Sequence, residues 1–336
     1  MDSSGQLPIE QPTPSRQKSR SGWKIFWGIV TALSILANIF LFFMLIAVSM
    51  FAFAGLGGKN FYIEDVIEKG PSTDKIVVIH LDGIINESLS QEIANQIKQV
   101  TEDAAVKGLI ISINSPGGTV SASDQIYYEI LKYKQLTSRP VIAFMHGLAA
   151  SGGYYASAAC EKIIAEPTVI TGSIGVIVNY FVLEQLLEDK LGIQPVVIKS
   201  GLRKDWPSLF HKPSDEQLKY LQEKIISPAY NRFVNIVANS RKALTVEQVK
   251  VLADGSIYSA DEALDKKLID SVGYFDEALD TIKSLAGISQ AKVVEYRKPF
   301  SWGSLISMKA DSVLRIDTST MNKLSTPDIL YLWSIH

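Results

Sequence analysis

Hydrophobic positions fall into three regimes along the chain. Residues 1–22 are polar and rich in Ser, Pro and Gln, a composition that reads as a disordered tail. From Ile25 to Gly58 no charged residue occurs. The core of that stretch, Ile25 to Phe53, exceeds the roughly 20 residues a helix needs to cross a bilayer. It is apolar on every face, unlike a helix that packs one stripe against a soluble core. Beyond residue 74, short apolar runs alternate with amphipathic stretches, the pattern of strands and helices in turn.

The charges around the apolar stretch predict its orientation. Arg16, Lys18, Arg20 and Lys24 precede it, whereas Glu64, Asp65 and Glu68 follow, with Lys59 and Lys69 as the nearby cations. The positive-inside rule then puts the tail in the cytoplasm and the rest of the chain outside. A cleaved signal peptide is the competing reading, since Ala52-Phe53-Ala54 has the small-x-small form of a cleavage site. Its hydrophobic region would run only about 7–15 residues, which favours an uncleaved anchor here. The expected organisation is a tail (1–22), a transmembrane anchor (23–54), a linker (55–74), a catalytic-size domain (75–297) and a C-terminal extension (298–336) without a clear period.

Within that domain the pattern predicts strands at Lys75–Leu81, Gly108–Ile113, Val141–Met145, Lys162–Ala165 and Gln194–Lys199. Helices are expected at Ser88–Thr101, Thr119–Lys134 and Phe181–Lys190. Alternation of this kind indicates an α/β fold with a largely parallel sheet. After Pro213 the chain turns mainly helical. Ser214 and Gln217 form a capping-box pattern opening a long helix to about Asn239. Val246–Leu252, Ala260–Lys266 and Phe275–Leu285 are further helices, and Val293–Tyr296 is a last strand.

Composition narrows the chemistry. The formal net charge of −2 gives no footprint for nucleic acid. Cys160 is the single cysteine, so neither an intrachain disulfide nor a cysteine zinc cluster is available. The histidines, His80, His146, His211 and His336, are scattered without metal-ligand spacing, and neither a metal nor an organic cofactor is expected.

Ser151 is the candidate nucleophile. It sits in Gly147-Leu-Ala-Ala-Ser-Gly-Gly-Tyr-Tyr155, after a strand and before a helix-compatible run. Small residues let a substrate backbone approach and leave main-chain N–H groups free to face a developing oxyanion. The same run also fits a plain Gly/Ala packing turn. A serine hydroxyl needs a base. His146 and His80 are not in a recognisable Ser-His arrangement. A lysine serves only when it is neutral, which requires desolvation. Lys204 follows the Gln194–Lys199 strand in a loop able to reach a neighbouring strand end, and Lys199 is the nearby alternative.

Four motifs in order resemble the bacterial signal peptide peptidase A family of membrane-anchored Ser-Lys peptidases. They are Ile113-Asn-Ser-Pro-Gly-Gly118, Ala149-Ala-Ser-Gly-Gly-Tyr-Tyr155, Thr171-Gly-Ser-Ile-Gly-Val176 and Ser200-Gly-Leu-Arg-Lys-Asp205. The likeness spans Lys75 to Leu285. It implies Ser151 as nucleophile, Lys204 as general base and Ser173 as the hydroxyl that orients the lysine. It implies the amides of Gly118 and Gly152 as the oxyanion hole. It also implies a Clp/crotonase-like spiral of βα units and remnant signal peptides, or other apolar peptides, as substrates. A homo-oligomer at the lipid bilayer, with grooves shared between neighbours, is a further implication.

Two related families share parts of this pattern. The Clp protease subunit also has Ser-Pro-Gly-Gly, but uses a histidine shortly downstream of its serine, and none occurs here between His146 and His211. Crotonase-type acyl-coenzyme A enzymes share the fold and use no serine nucleophile. A non-catalytic membrane scaffold of the same fold is a third reading, against which the intact Ser151, Ser173 and Lys204 set speaks. The segment Tyr258–Asp270 resembles one common to the superfamily. It departs at Lys267, where glycine is usual, so the turn there is open to change.

Overall fold

The structure is a computed structural model, and it describes residues 21–56, 62–298 and 328–333. The polar tail before residue 21 therefore lies outside the described residues. Helix α1 (Ser21–Leu56) contains the span Gly22–Met50, long and apolar enough to cross a membrane and with none of it buried in protein. The catalytic unit begins at Tyr62 and is described by itself below.

Its strands are β1 (Ile63–Glu68), β2 (Lys75–Asp82), β3 (Val106–Ser115), β4 (Gly117–Thr119), β5 (Val141–Ala150), β6 (Lys162–Ala165), β7 (Ile170–Gly172), β8 (Ile177–Asn179), β9 (Ile257–Ser259), β10 (Ser271–Val272), β11 (Lys292–Arg297) and β12 (Asp328–Leu332). The helices are α2 (Glu87–Glu102), α3 (Val120–Thr137), α4 (Gly152–Ser157), α5 (Asp215–Leu221), α6 (Ser227–Ser240), α7 (Val246–Leu252), α8 (Ala260–Asp265) and α9 (Phe275–Ala286). The main sheet runs β1-β11-β2-β3-β5-β6-β10, with β7 beside the end of β5 and β9 beside β7, and it is parallel except at the β1/β11 and β7/β9 pairs. Its central strands are near-continuous apolar runs because both faces are covered. Ile79, Leu109, Ile111 and Ala143 bury one face with helices α2, α3 and α6, and Ile76, Ile110 and Ile142 bury the other against α9.

Local chemistry sets the helix ends. Asn86 accepts from the Leu89 amide to start α2, and Thr119 accepts from the Ala122 amide to start α3. The Ser214–Gln217 capping box forms as the spacing predicts, and the helix it opens runs through a π-helical stretch (Gln222–Ile226) into α6.

Three expectations change. The segment read as a linker contains β1, which closes the sheet edge antiparallel to β11. The expected helix at 181–190 forms over residues 184–191, mostly as the π-helical stretch Leu186–Lys190, which has no buried residue. The expected strand at 194–199 does not form, although its residues suit one. Val196 and Ile198 are 84% and 96% exposed. A strand needs a partner for its backbone, and among the described residues no strand pairs with this segment.

Candidate active site

The second, small sheet assembles the site. Its order is β4-β12-β8, with both pairings antiparallel. Strand β4 is the Pro-Gly-Gly turn of the first motif. Strand β12 comes from the C-terminal extension and fills the cleft between β4 and β8.

Ser151 sits at the junction of β5 and α4 with φ +52° and ψ −112°, and is 1% exposed. A non-glycine residue held there stores on the order of 1–3 kcal/mol of strain, a feature that clusters at functional sites. The turn is pinned from both sides. The Ser151 amide donates to the Gly172 carbonyl at 2.8 Å, and the Ser151 carbonyl accepts from the Tyr155 amide at 2.8 Å.

The nearby amides can be assigned by where they donate. Ser151 spends its N–H on Gly172. Gly117 spends its own on the Ser115 hydroxyl at 3.1 Å, and Ser115 in turn donates to the Gly83 carbonyl. The amides of Gly118 and Gly152 remain beside the cleft. A Cβ built on Gly117 would overlap the Tyr331 carbonyl oxygen and lie 2.7 Å from the Gly152 nitrogen. Gly118 is paired with Tyr331 in the β4/β12 register. The Tyr331 carbonyl thus lies against the Gly117-Gly118 backbone, on the side where the Gly152 nitrogen also approaches. The N-terminal ends of α3 and α4 lie there too, and their dipoles favour negative charge. None of these glycines has space for a side chain: a Cβ on Gly118 would overlap the Ile85 backbone, and one on Gly152 the Ser123 hydroxyl.

Ser173 lies alongside. Gly172 pairs with Ala150, so the residues that follow, Ser173 and Ser151, are lateral neighbours. Ser173 is 7% exposed at φ +48°, and its amide donates to the Ser256 carbonyl at 2.7 Å. Both serines line one cavity of about 530 Å³, together with Tyr230, Asp254, Leu332 and Trp333.

Lys204 is not in this cavity. It lies exposed in a surface turn with Ser200–Arg203, and the expected contact with Ser151 is not made within one chain. The turn that carries it follows the 194–199 segment, which pairs with no strand among the described residues. Lys199 is held at 2.8 Å by both carboxylate oxygens of Asp205, whose carboxyl that bond keeps below the usual range. His80 is paired with Glu295 at 2.9 Å, and His146 stacks on Phe144. Asp254 is the carboxylate of the cleft; hydrogen bonds from Ser256 lower its pKa, which makes it a weak base.

Sequence reasoning missed the aromatic pocket around β12. Tyr331 is fully buried, stacked 4.9 Å from Tyr155 and 4.8 Å from Phe233, and its hydroxyl donates to the Ala229 carbonyl at 2.9 Å. The available signal was the unbroken apolar run Ile329-Leu-Tyr-Leu-Trp333 in an otherwise polar extension.

A buried serine on a strained strand-to-helix turn, beside glycine backbone that pairs with an added strand, is the site of an α/β serine hydrolase. Comparison with known proteins narrows the class. The model of peptidase family S49 matches residues 134–289, and that of Clp protease matches residues 71–168. A protein assigned as a signal peptide peptidase SppA in Enterococcus faecium is 41% identical over 251 residues, covering 71% of this chain and 72% of that one. A protein assigned as a protease in Synechocystis sp. is 38% identical over 226 residues, 67% of this chain and 79% of its own. The chloroplastic serine protease SPPA of Arabidopsis thaliana is 32% identical over 259 residues, 73% of this chain but 38% of its own length. The chain belongs to peptidase family S49. It is a serine endopeptidase with the Clp protease fold, and it carries one helix suited to single-pass membrane anchoring.

Proposed function

We propose that Ser151 is the nucleophile of this peptidase, with Gly118 and Gly152 as the oxyanion donors. The observation that carries the reading is the position of β12, whose Tyr331 pairs with Gly118 and whose carbonyl lies against Gly117, next to the Gly152 nitrogen and Ser151. A peptide substrate adds as a strand in the place of β12, with its scissile carbonyl where that of Tyr331 lies. Backbone pairing supplies affinity and side-chain pockets supply selectivity. Two preorganised donors stabilise the tetrahedral intermediate by several kcal/mol, of order 3 kcal/mol each.

Lys204 is the general base, and Ser173 orients its amine toward Ser151. The base is delivered by a neighbouring copy of the chain. This is supported by the absence of a lysine from the lining of the cavity and by the unpaired apolar segment that carries Lys204. A homo-oligomer with shared grooves follows. The substrates are remnant signal peptides or other apolar peptides, in keeping with the name of the Enterococcus relative and with the membrane helix. The cations before residue 25 put the N-terminus in the cytoplasm and the domain at 75–297, extended by β1 and β12, outside.

The test uses the full-length chain in detergent. Ser151→Ala and Lys204→Ala are each expected to lower peptide turnover by about 10³-fold or more. Mixed and co-assembled, the two inactive variants are expected to regain activity, because some sites then combine an intact serine with an intact lysine. No recovery would place the base in the same chain; normal turnover by either variant alone would remove that residue from the mechanism.

A further inference from the structure

The pocket that takes the Tyr331 side chain is assembled from three separate elements, and one carboxylate ties them together. Asp124 lies on α3. Its Oδ1 accepts from the Tyr155 hydroxyl of α4 and from Nε and Nη2 of Arg232 on α6, the Nε bond measuring 2.8 Å. The Arg232 Nε also lies 3.1 Å from the Tyr155 oxygen. These groups are distant in sequence and join at a single oxygen.

Each partner of that oxygen governs part of the pocket. Tyr155 is fully buried, and its ring is the flat wall against which Tyr331 stacks, at an interplanar angle of 25°. A buried phenol needs a partner, and Asp124 provides it. Arg232 precedes Phe233, which faces both rings at 4.8–4.9 Å. One turn earlier on the same helix, Ala229 offers the carbonyl that accepts the Tyr331 hydroxyl. The side chains of Arg232 and Asp124 are 54% and 33% exposed, so the ion pair as such contributes little to stability. Its effect is geometric: it holds the stacking ring and the acceptor carbonyl at the spacing of one phenol.

We propose that Asp124 and Arg232 are positioning residues that set a preference for tyrosine at the substrate residue facing Gly118. The proposal rests on the reading that substrates replace β12. Without the carboxylate, the Tyr155 O–H loses its acceptor, keeping only the Arg232 Nε as a donor to it, and α6 loses its tie to α3. An aromatic side chain then loses its wall and its acceptor together. A leucine in the same place depends on neither the ring plane nor the Ala229 carbonyl.

The experiment compares two fluorogenic peptides on the full-length enzyme, identical except for Tyr or Leu at that position. The ratio of their kcat/KM values cancels any occupancy of the cleft by β12 and any inactive fraction. A general structural defect slows both peptides alike and leaves the ratio fixed. Asp124→Ala is expected to lower the Tyr/Leu ratio by about tenfold, the loss of a charge-assisted bond to a buried hydroxyl. Arg232→Gln, on an exposed side chain, is expected to lower it by a few-fold and carries the test if Asp124→Ala does not fold. Asp124→Glu, which keeps the carboxylate, is expected to restore most of the ratio. An unchanged ratio in the Ala and Gln variants would overturn the clamp. Failure of the wild-type chain to react at Ser151 with a small serine-acylating inhibitor would instead remove the nucleophile reading beneath it.

Discussion

The Ser151 cleft and the segment after β8 obey opposite rules. In the cleft, backbone groups are paired in all directions: Ser151 with Gly172, Gly117 with Ser115, Ser173 with Ser256. From residue 181 to 202, large apolar side chains stand in solvent, among them Phe181 at 60%, Leu191 at 59% and Leu202 at 68% exposure. Exposed apolar surface of this kind is what an interface between copies would bury. The proposed nucleophile and its amides are thus built by local folding of one chain. The proposed lysine, by contrast, rides on a segment whose apolar side chains stand exposed among the described residues. The two halves of the proposed machinery answer to different forces, and substitutions in each should fail in different ways.

The largest effect is expected in the cleft. A methyl group on Gly118 would overlap the Ile85 backbone, which cannot move aside as a flexible side chain would. Gly118→Ala should therefore displace β4 and its amide, lowering kcat by about 10²–10³. Gly152→Ala meets its closest obstacle in the Ser123 hydroxyl, which can rotate, and touches the Gly117 and Gly118 backbone only at 3.1–3.2 Å, so the loss should be smaller. Equal losses in steady-state kinetics would show that the two amides are not held as differently as their surroundings indicate.

In the exposed segment the expectation is reversed. Replacing Val196 and Ile198 together with Asp should leave the unfolding free energy of the single chain within about 0.5 kcal/mol, as surface changes do. Sedimentation should show smaller assemblies, and turnover should fall with them. Wild-type assembly and turnover in this double variant would remove the segment from the interface.

This contrast also governs what could be read from the sequence. Periodicity located the strands from Lys75 to Ala165 and the helices after Pro213 because each buries its apolar face inside the same chain. It misassigned 194–199, where the apolar pattern is genuine but no strand among the described residues pairs with it. The serine turn was legible because small residues and glycines report backbone geometry directly: Ser151, Ser173 and Gly172 all have positive φ. The Tyr331 pocket was not. Its members, Tyr155, Ala229, Phe233 and Asp124, come from three helices, and only tertiary packing brings them to one point.

A moderate effect tests the paired frame by pH. Asp270 precedes β10 and accepts from Arg241 at 2.7 Å, the Ile163 amide at 2.9 Å and Lys162 at 3.2 Å. Burial opposes its charge, yet the Arg241 bond and the Ile163 amide prevail and hold the carboxyl below its ordinary value. A depressed folded pKa means the contribution is complete above the unfolded value, near ~3.9, and is lost as pH falls through the folded one. Asp270→Asn should cost about 1–3 kcal/mol at neutral pH and less in acid. Urea titrations across that range should show the gap between the two proteins closing; a constant gap would argue that the carboxylate is not what Arg241 reads.

The smallest effect concerns Lys267, where glycine is usual in the superfamily segment. The turn has not changed to suit the side chain: Lys267 keeps a left-handed φ of +63°. Its carbonyl accepts from Arg241 at 2.8 Å, and its amide donates to Leu264 at 2.9 Å, so the backbone is fixed by α6 and by the end of α8. A lysine there bears about 1 kcal/mol of steric cost that glycine escapes. Glycine gives back part of that gain through the greater freedom of its unfolded chain. Lys267→Gly should thus raise stability by about 0.5 kcal/mol and leave turnover unchanged. A loss of stability in thermal unfolding would mean that the lysine side chain makes a contribution exceeding the strain it imposes, and that this turn, unlike the serine turn, was retuned rather than tolerated.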